Sequence, residues 1–178
     1  MKNVLIISSS PRIDGNSDTL CKEFMKGALD SKNNVELINL ATKNIKYCIG
    51  CYACQKLGHC FQNDDMNEIS AKMLKADVIV FATPVYFYSM SGQLKVFIDR
   101  LTPIYEKVKA DIYIIATAWD ADTKNLESTA EAIRGLTRDC FIECEEKGCL
   151  LVGDVSKKGE IKNKKEALIK AYIMGKNC

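Results

Sequence analysis

The stretch "NVLIISSSPRIDGNSDTL", residues 3–20, passes from an apolar run through three hydroxyls, a proline, an arginine and a glycine into a segment with helical spacing. Its Val- and Ile-rich start, with no polar alternation, suits a strand buried on both faces of a parallel sheet. Leu20, Phe24 and Ala28 then recur on one face of a helix. A strand that feeds a helix through a short polar loop is the opening of a β-α-β unit.

The same alternation continues along the chain. "NVELINL" (34–40), "DVIVFAT" (77–83), "IYIIATA" (112–118) and the weaker "GCLLVGDV" (148–155) read as further strands, and the polar alternation of the first of these puts it near a sheet edge. Ile69, Met73 and Leu74 mark a helix before the third strand. Leu126, Ala130, Ile133 and Thr137 mark one after the fourth, and Ile161, Leu168, Ile169 and Tyr172 mark the last. This pattern predicts one α/β domain over residues 1–178: a doubly wound, five-stranded parallel sheet in the order 2-1-3-4-5, with helices on both faces in three layers. A ligand of such a sheet sits beyond the carboxyl ends of the strands, at the switch point between the first and third.

The loops at that rim carry the chemistry. In "SSSPRIDGNSDTL" (8–20), hydroxyls and Arg12 precede a helix start whose free N–H groups attract an anion, which makes a phosphate cradle. Capping by Asn16 or Ser17 accounts for part of the loop and leaves Ser8 to Arg12 without a purpose. The glycines and lysine of a P-loop are absent, which argues against a nucleoside triphosphate with magnesium. In "TPVYFYSMSGQLKVFIDRL" (83–101), Pro84 is expected to stop the strand, Val85 to Tyr88 to form an aromatic turn, and a helix to start at Gly92. "TAWDAD" (117–122) brings Thr117 and the only tryptophan, Trp119, to the same rim. Aromatic loops beside a hydroxyl-rich loop fit a planar ring carrying a single phosphate.

A different cluster lies at "CIGCYACQKLGHC", residues 48–60: Cys48, Cys51, Cys54 and Cys60 are spaced C-x2-C-x2-C-x5-C. The first three match the ferredoxin spacing for a [4Fe–4S] cube, the fourth falls later, and unligated thiols or zinc remain alternatives. His59 reads as a loop residue, and the five other cysteines as packing or surface thiols.

Composition narrows the partners. Twenty-five basic and 23 acidic residues give a net charge of +2 without a basic patch, so neither nucleic acid nor an acidic membrane is expected. The apolar run near the start is too short for a secretion signal or a membrane span, and nine cysteines, an odd number, argue for reduced thiols or ligands rather than a disulfide framework. A cytoplasmic protein with a small-molecule partner is expected.

These segments together resemble the flavodoxin-like NAD(P)H-dependent FMN reductases and, within them, the iron–sulfur flavoproteins. "SSPRIDGNSDTL" is similar to a G-S-P-R-x-x-G-N-[TS] phosphate loop, with Ser9 where glycine is common. "CIGCYACQKLGHC" followed by "NDDM" looks like the cluster segment, and "ATPVYFYSMSGQLKVFIDR" like a flavin loop ending in K-x-F-x-D-R. The resemblance implies that Ser10, Arg12, Asn16, Ser17 and Thr19 hold the FMN phosphate. It implies that Thr83, Pro84, Val85, Tyr86 and Phe87 line the isoalloxazine, with backbone groups of Val85 and Tyr86 at its pyrimidine edge. Lys95, Asp99 and Arg100 follow on the next helix. Electrons would pass from NAD(P)H, stacked on the flavin, to a small acceptor such as a flavin or quinone, with no acid–base dyad. The alternative is an electron carrier taking electrons from ferredoxin through a [4Fe–4S] cluster on Cys48, Cys51, Cys54 and Cys60. An exposed flavin on so small a domain also leads us to expect a homodimer or homotetramer.

Overall fold

The computed structural model describes residues 1–178. Its strands are β1 (Asn3–Ser8), β2 (Asn34–Asn39), β3 (Val78–Tyr86), β4 (Ser89–Met90), β5 (Lys109–Thr117) and β6 (Glu143–Val152). The helices are α1 (Asn16–Asp30), α2 (Ala53–Leu57), α3 (Met66–Met73), α4 (Gly92–Asp99), α5 (Glu127–Thr137) and α6 (Lys165–Lys176). Five strands pair in parallel in the order β2-β1-β3-β5-β6, the expected doubly wound topology, and β4 is a two-residue return paired antiparallel to the end of β3.

Each central strand sends alternate residues to opposite cores. Val4, Ile6, Val78, Val80 and Ile115 meet Leu20, Phe24 and Ala28 of α1 and Ala171 of α6. Leu5, Ile7, Ile79, Phe81, Ile112 and Ile114 meet Ile69 and Met73 of α3, Leu94 and Phe97 of α4, and Ala130 and Ile133 of α5. β2 lies at the edge with an alternating burial pattern, as its sequence suggested. On the first face α1 and α6 touch backbone to backbone: a Cβ on Gly27 would lie 2.0 Å from the Tyr172 carbonyl oxygen, and one on Gly175 1.9 Å from that of Phe24. Only glycine permits this approach.

Several expectations are corrected. Pro84 does not stop β3; the strand runs on to Tyr86, since Pro84 still pairs with Thr117 of β5 through its carbonyl side. β6 begins at Glu143, five residues before the apolar run, because its exposed first half is polar and leaves no hydrophobic signal. Leu74 is exposed at the end of α3. On α6 the buried positions are Ala171 and Gly175, while Ile169 faces solvent and Ile161 is buried in a preceding 3-10 turn. The close contact with α1 selects small residues rather than the larger apolar ones.

Candidate functional site: the cleft at the switch point

Three loops leave the carboxyl ends of β1, β3 and β5 and border one cleft. The β1–α1 loop is shaped from within. Ser10 Oγ donates to the Arg12 carbonyl oxygen at 2.8 Å and accepts from the Arg12 N–H at 3.2 Å, and the Gly15 N–H closes on the same carbonyl at 2.8 Å. A Cβ on Gly15 would lie 2.6 Å from Ser10 Oγ, so the turn needs a residue without one. Asp18, buried in the first turn of α1, ties this loop to the sheet. It accepts from Ser8 Oγ at 2.9 Å, Asn39 Nδ2 at 3.1 Å and the Asp14 N–H at 2.9 Å, and meets Lys22 Nζ at 3.0 Å.

The helix start itself is left open. Gly15 is the N-cap and makes no side-chain cap, so neither Asn16 nor Ser17 takes that role. The N–H groups of Asn16, Ser17 and Asp18 have no acceptor. Ser17 Oγ is buried, with 1% of the residue exposed, and also lacks a partner. A buried hydroxyl without a partner costs about 1–3 kcal/mol, so its place beside three free N–H donors marks a seat for an acceptor-rich anion. Arg12 reaches across to the Ser156 carbonyl oxygen at 3.1 Å, and Asn16 Nδ2 to that of Lys157 at 3.1 Å. The β6–α6 loop is thus drawn over the cradle and adds Val155, Ser156 and Lys158 to its wall. Arg12 and Lys158 are two cations in a lining without a carboxylate.

The other half of the cleft is flat and aromatic. Pro84, Val85, Tyr86, Thr117, Ala118 and Trp119 line it. Phe87 and Tyr88 form the turn of the β3–β4 hairpin with φ of +49° and +60°. Bulky residues rarely adopt that region, and held strain of this kind gathers at functional loops. Phe87 projects wholly into solvent and Trp119 is 79% exposed.

Of the residues singled out from sequence, Ser10, Arg12, Asn16, Ser17, Pro84, Val85, Tyr86, Thr117 and Trp119 come together in this one cleft. Thr19, Thr83 and Phe87 do not line it. Thr19 lies on the buried side of α1. Thr83 is turned inward, donating to the Pro84 carbonyl oxygen at 2.8 Å and accepting from the Ser91 N–H at 2.9 Å, and so it shapes the loop rather than its surface. Ser9 is buried and donates to the Ala82 carbonyl oxygen at 2.9 Å, with Ser91 Oγ 3.0 Å from its own Oγ. The reading missed Lys158 and Ser156, because "SKKG" looks like any polar turn until the loop is seen to fold over α1.

The cysteine segment leaves β2 at the same rim and borders a second, smaller cavity. Left-handed Gly50, Tyr52 and Gly58 coil the chain around the short α2, and Cys48, Cys51, Cys54 and Cys60 all border this cavity. The segment that follows is tied down by its carboxylates: Asp64 accepts from the Lys46 N–H at 3.0 Å and from Arg100, which lines the cavity, at 2.7 and 3.0 Å, while Asp65 accepts from the Asn44 N–H at 2.7 Å. Burial opposes ionisation of Asp64, but Arg100 and the N–H groups of Lys46 and Met66 outweigh it and hold the carboxyl below the usual range. No three thiol, imidazole or carboxyl groups converge as ligands of one ion. The four thiols that border this cavity are the donor type of an iron–sulfur cluster and of structural zinc alike. Lys95 and Asp99 form an exposed ion pair along α4, away from the cleft lining.

The model of the NADPH-dependent FMN reductase family matches residues 2–123. The chain belongs to that family. A stretch of 101 residues, 57% of the chain, is 42% identical to an iron–sulfur flavoprotein of Methanocaldococcus jannaschii, over 52% of that protein. A stretch of 103 residues, 58% of the chain, is 38% identical to one of Archaeoglobus fulgidus, over 46% of its length. The chain thus spans about half the length of the curated relatives it matches. In fold it is similar to an NAD(P)H:quinone oxidoreductase from Methanothermobacter marburgensis, with a TM-score of 0.73 at 18% identity, covering 99% of this chain and 96% of the other. A flavone reductase gives 0.75 at 19% identity, covering 98% and 61%. No helix of this member of the FMN reductase family is long and apolar enough to cross a membrane.

Proposed function

We propose that the chain is an FMN-dependent oxidoreductase that takes electrons from NAD(P)H and passes them to a small acceptor such as a flavin or quinone. The observation that carries this reading is the buried, unpartnered Ser17 hydroxyl among three free N–H groups, with Arg12 and Lys158 beside it and an apolar, aromatic wall beyond. That set fits a flavin with one terminal phosphate. Ser10, Arg12, Asn16, Ser17 and Lys158 would hold the phosphate, and Pro84 to Tyr86, Thr117 and Trp119 the ring. Bound FMN supplies the electron-accepting ring that the side chains lack. The protein positions it: the hairpin and the β5 loop wall one side, while the side toward solvent is left for nicotinamide. Exposed Phe87 and Trp119 support an oligomer, a homodimer or homotetramer, in which a second copy covers them. Nine free cysteines accord with the cytoplasm.

A second reading rests on a separate observation, the four thiols around one cavity, and on the relatives' names. In it the cysteine loop holds a [4Fe–4S] cluster, and ferredoxin is a source of electrons. Iron and sulfide analysis of protein reconstituted under argon tests it. Iron near four per chain with FMN bound supports the carrier, and a yellow, iron-free protein that oxidises NAD(P)H supports the reductase alone.

A further inference from the structure

Arg100 is the largest fully buried side chain, and it lies outside the lining of the flavin cleft. It closes α4 with a carboxylate and a carbonyl already in hand: Nη1 donates to Asp64 Oδ2 at 2.7 Å and to the Lys46 carbonyl oxygen at 2.6 Å, and Nη2 donates to Asp64 Oδ1 at 3.0 Å. Its Nε–H has no acceptor although it is buried. A guanidinium needed only as a clamp would be satisfied by those three bonds. The same side chain lines the second cavity together with Cys60 and the other three cysteines of the loop.

We propose that Arg100 tunes the iron–sulfur group of the cysteine loop, its unpaired Nε–H being free to donate to a cluster sulfur and its charge standing at the cavity the four cysteines border. The inference rests on the cluster reading of that loop. Hydrogen bonds to cluster sulfurs and nearby positive charge favour the reduced, more negative state and raise the reduction potential. Asp64 offsets part of the charge and locks the guanidinium plane, and it also binds the loop backbone at Lys46, so one carboxylate sets both the loop and its donor. This gives a single purpose to "NDD" and to the arginine of K-x-F-x-D-R, two motifs that the flavin site leaves unused.

The test is spectroelectrochemistry of the reconstituted full chain, with iron counted for each variant. Asp64→Asn leaves the buried guanidinium less compensated and is expected to raise the potential. The double change Asp64→Asn with Arg100→Met removes charge and donor together without stranding a buried carboxylate, and it is expected to lower the potential below that of the unaltered protein. Each shift is expected to be about tenfold in the reduction equilibrium, about 59 mV for a one-electron couple. A clamp alone would move both variants the same way by loosening the loop, or neither, and that result overturns the inference while leaving the cluster in place. For a readout without mutation, the unaltered protein is labelled with ¹⁵N-arginine and reduced. Pulsed electron paramagnetic resonance is expected to detect a coupled ¹⁵N nucleus, and no coupling in an iron-loaded sample overturns the inference. No iron retained by the unaltered protein overturns the cluster reading, and this inference with it.

Discussion

Replacing Ser17 by alanine should stabilise the empty protein and weaken its hold on FMN, two effects of opposite sign from one hydroxyl. In the empty cradle Ser17 Oγ is buried without a partner. Such a group costs about 1–3 kcal/mol, and alanine removes it without leaving another polar atom exposed to the same penalty. A gain of about 1 kcal/mol, allowing for the lost fit of the oxygen, corresponds to roughly 2–4 °C in Tm for a domain of this size. With FMN bound, the hydroxyl would donate to a phosphate oxygen, a charge-assisted bond worth about 1.5–3 kcal/mol. Its loss should raise the FMN dissociation constant roughly 12- to 140-fold. Quenching of flavin fluorescence measures the affinity, with riboflavin as the ligand that lacks the phosphate, and thermal melts of the flavin-free protein measure stability. If Ser17→Ala instead lowers the Tm of the empty protein and leaves FMN affinity unchanged, the hydroxyl belongs to the helix start and the phosphate seat is misplaced.

Lys158→Ala should weaken FMN by about 1 kcal/mol, roughly fivefold, and leave riboflavin affinity unaltered, because the lysine is exposed and acts only through its charge; equal loss for both ligands in the same fluorescence assay would remove it from the phosphate site. Serine at any one of Cys48, Cys51, Cys54 or Cys60 should abolish iron retention after reconstitution while FMN binding persists, since the two cavities share no lining residue; iron retained by all four single variants would assign the metal elsewhere. Asp64 titrates below its unfolded value of about 3.9, so its contribution to stability is present above about pH 4 and is lost as pH falls through the lower folded value. Denaturant melts across the acid range should accordingly be shallower for Asp64→Asn, which should also cost about 3–5 kcal/mol at neutral pH by breaking the buried pair with Arg100; an acid limb as steep as that of the unaltered chain would mean another carboxylate carries it.

The strands that fill the middle of the sheet were legible because both of their faces are buried. β1, β3 and β5 read as unbroken apolar runs, and their topology follows from the alternation with helices. Edge strand β6 was half hidden because its first residues pair through the backbone while their side chains stay in water. α6 misled for the opposite reason: its buried face is set by Gly175 and Ala171 against the backbone of α1, and small residues carry little periodic signal. In the cleft, sequence located the loops but not the direction each side chain takes. Thr83 sits in a flavin-loop motif and faces the core, while Lys158 sits in an unremarkable turn and faces the cradle. Local residue types reveal that a loop is polar or aromatic; which residue reaches the ligand depends on contacts 140 or so positions apart, such as Arg12 with Ser156.

The central claim is that this cleft holds FMN and passes it electrons from a nicotinamide. Flavin-free protein loaded with FMN, desalted and mixed under argon with stoichiometric NADPH, then with NADH, tests it in one cuvette by following the flavin absorbance band. The account predicts that FMN remains on the protein through desalting and that its band bleaches within the mixing series, returning when a quinone or free flavin is added. FMN lost on desalting, or retained but left oxidised by both nicotinamides while reduced ferredoxin bleaches it, would contradict the account.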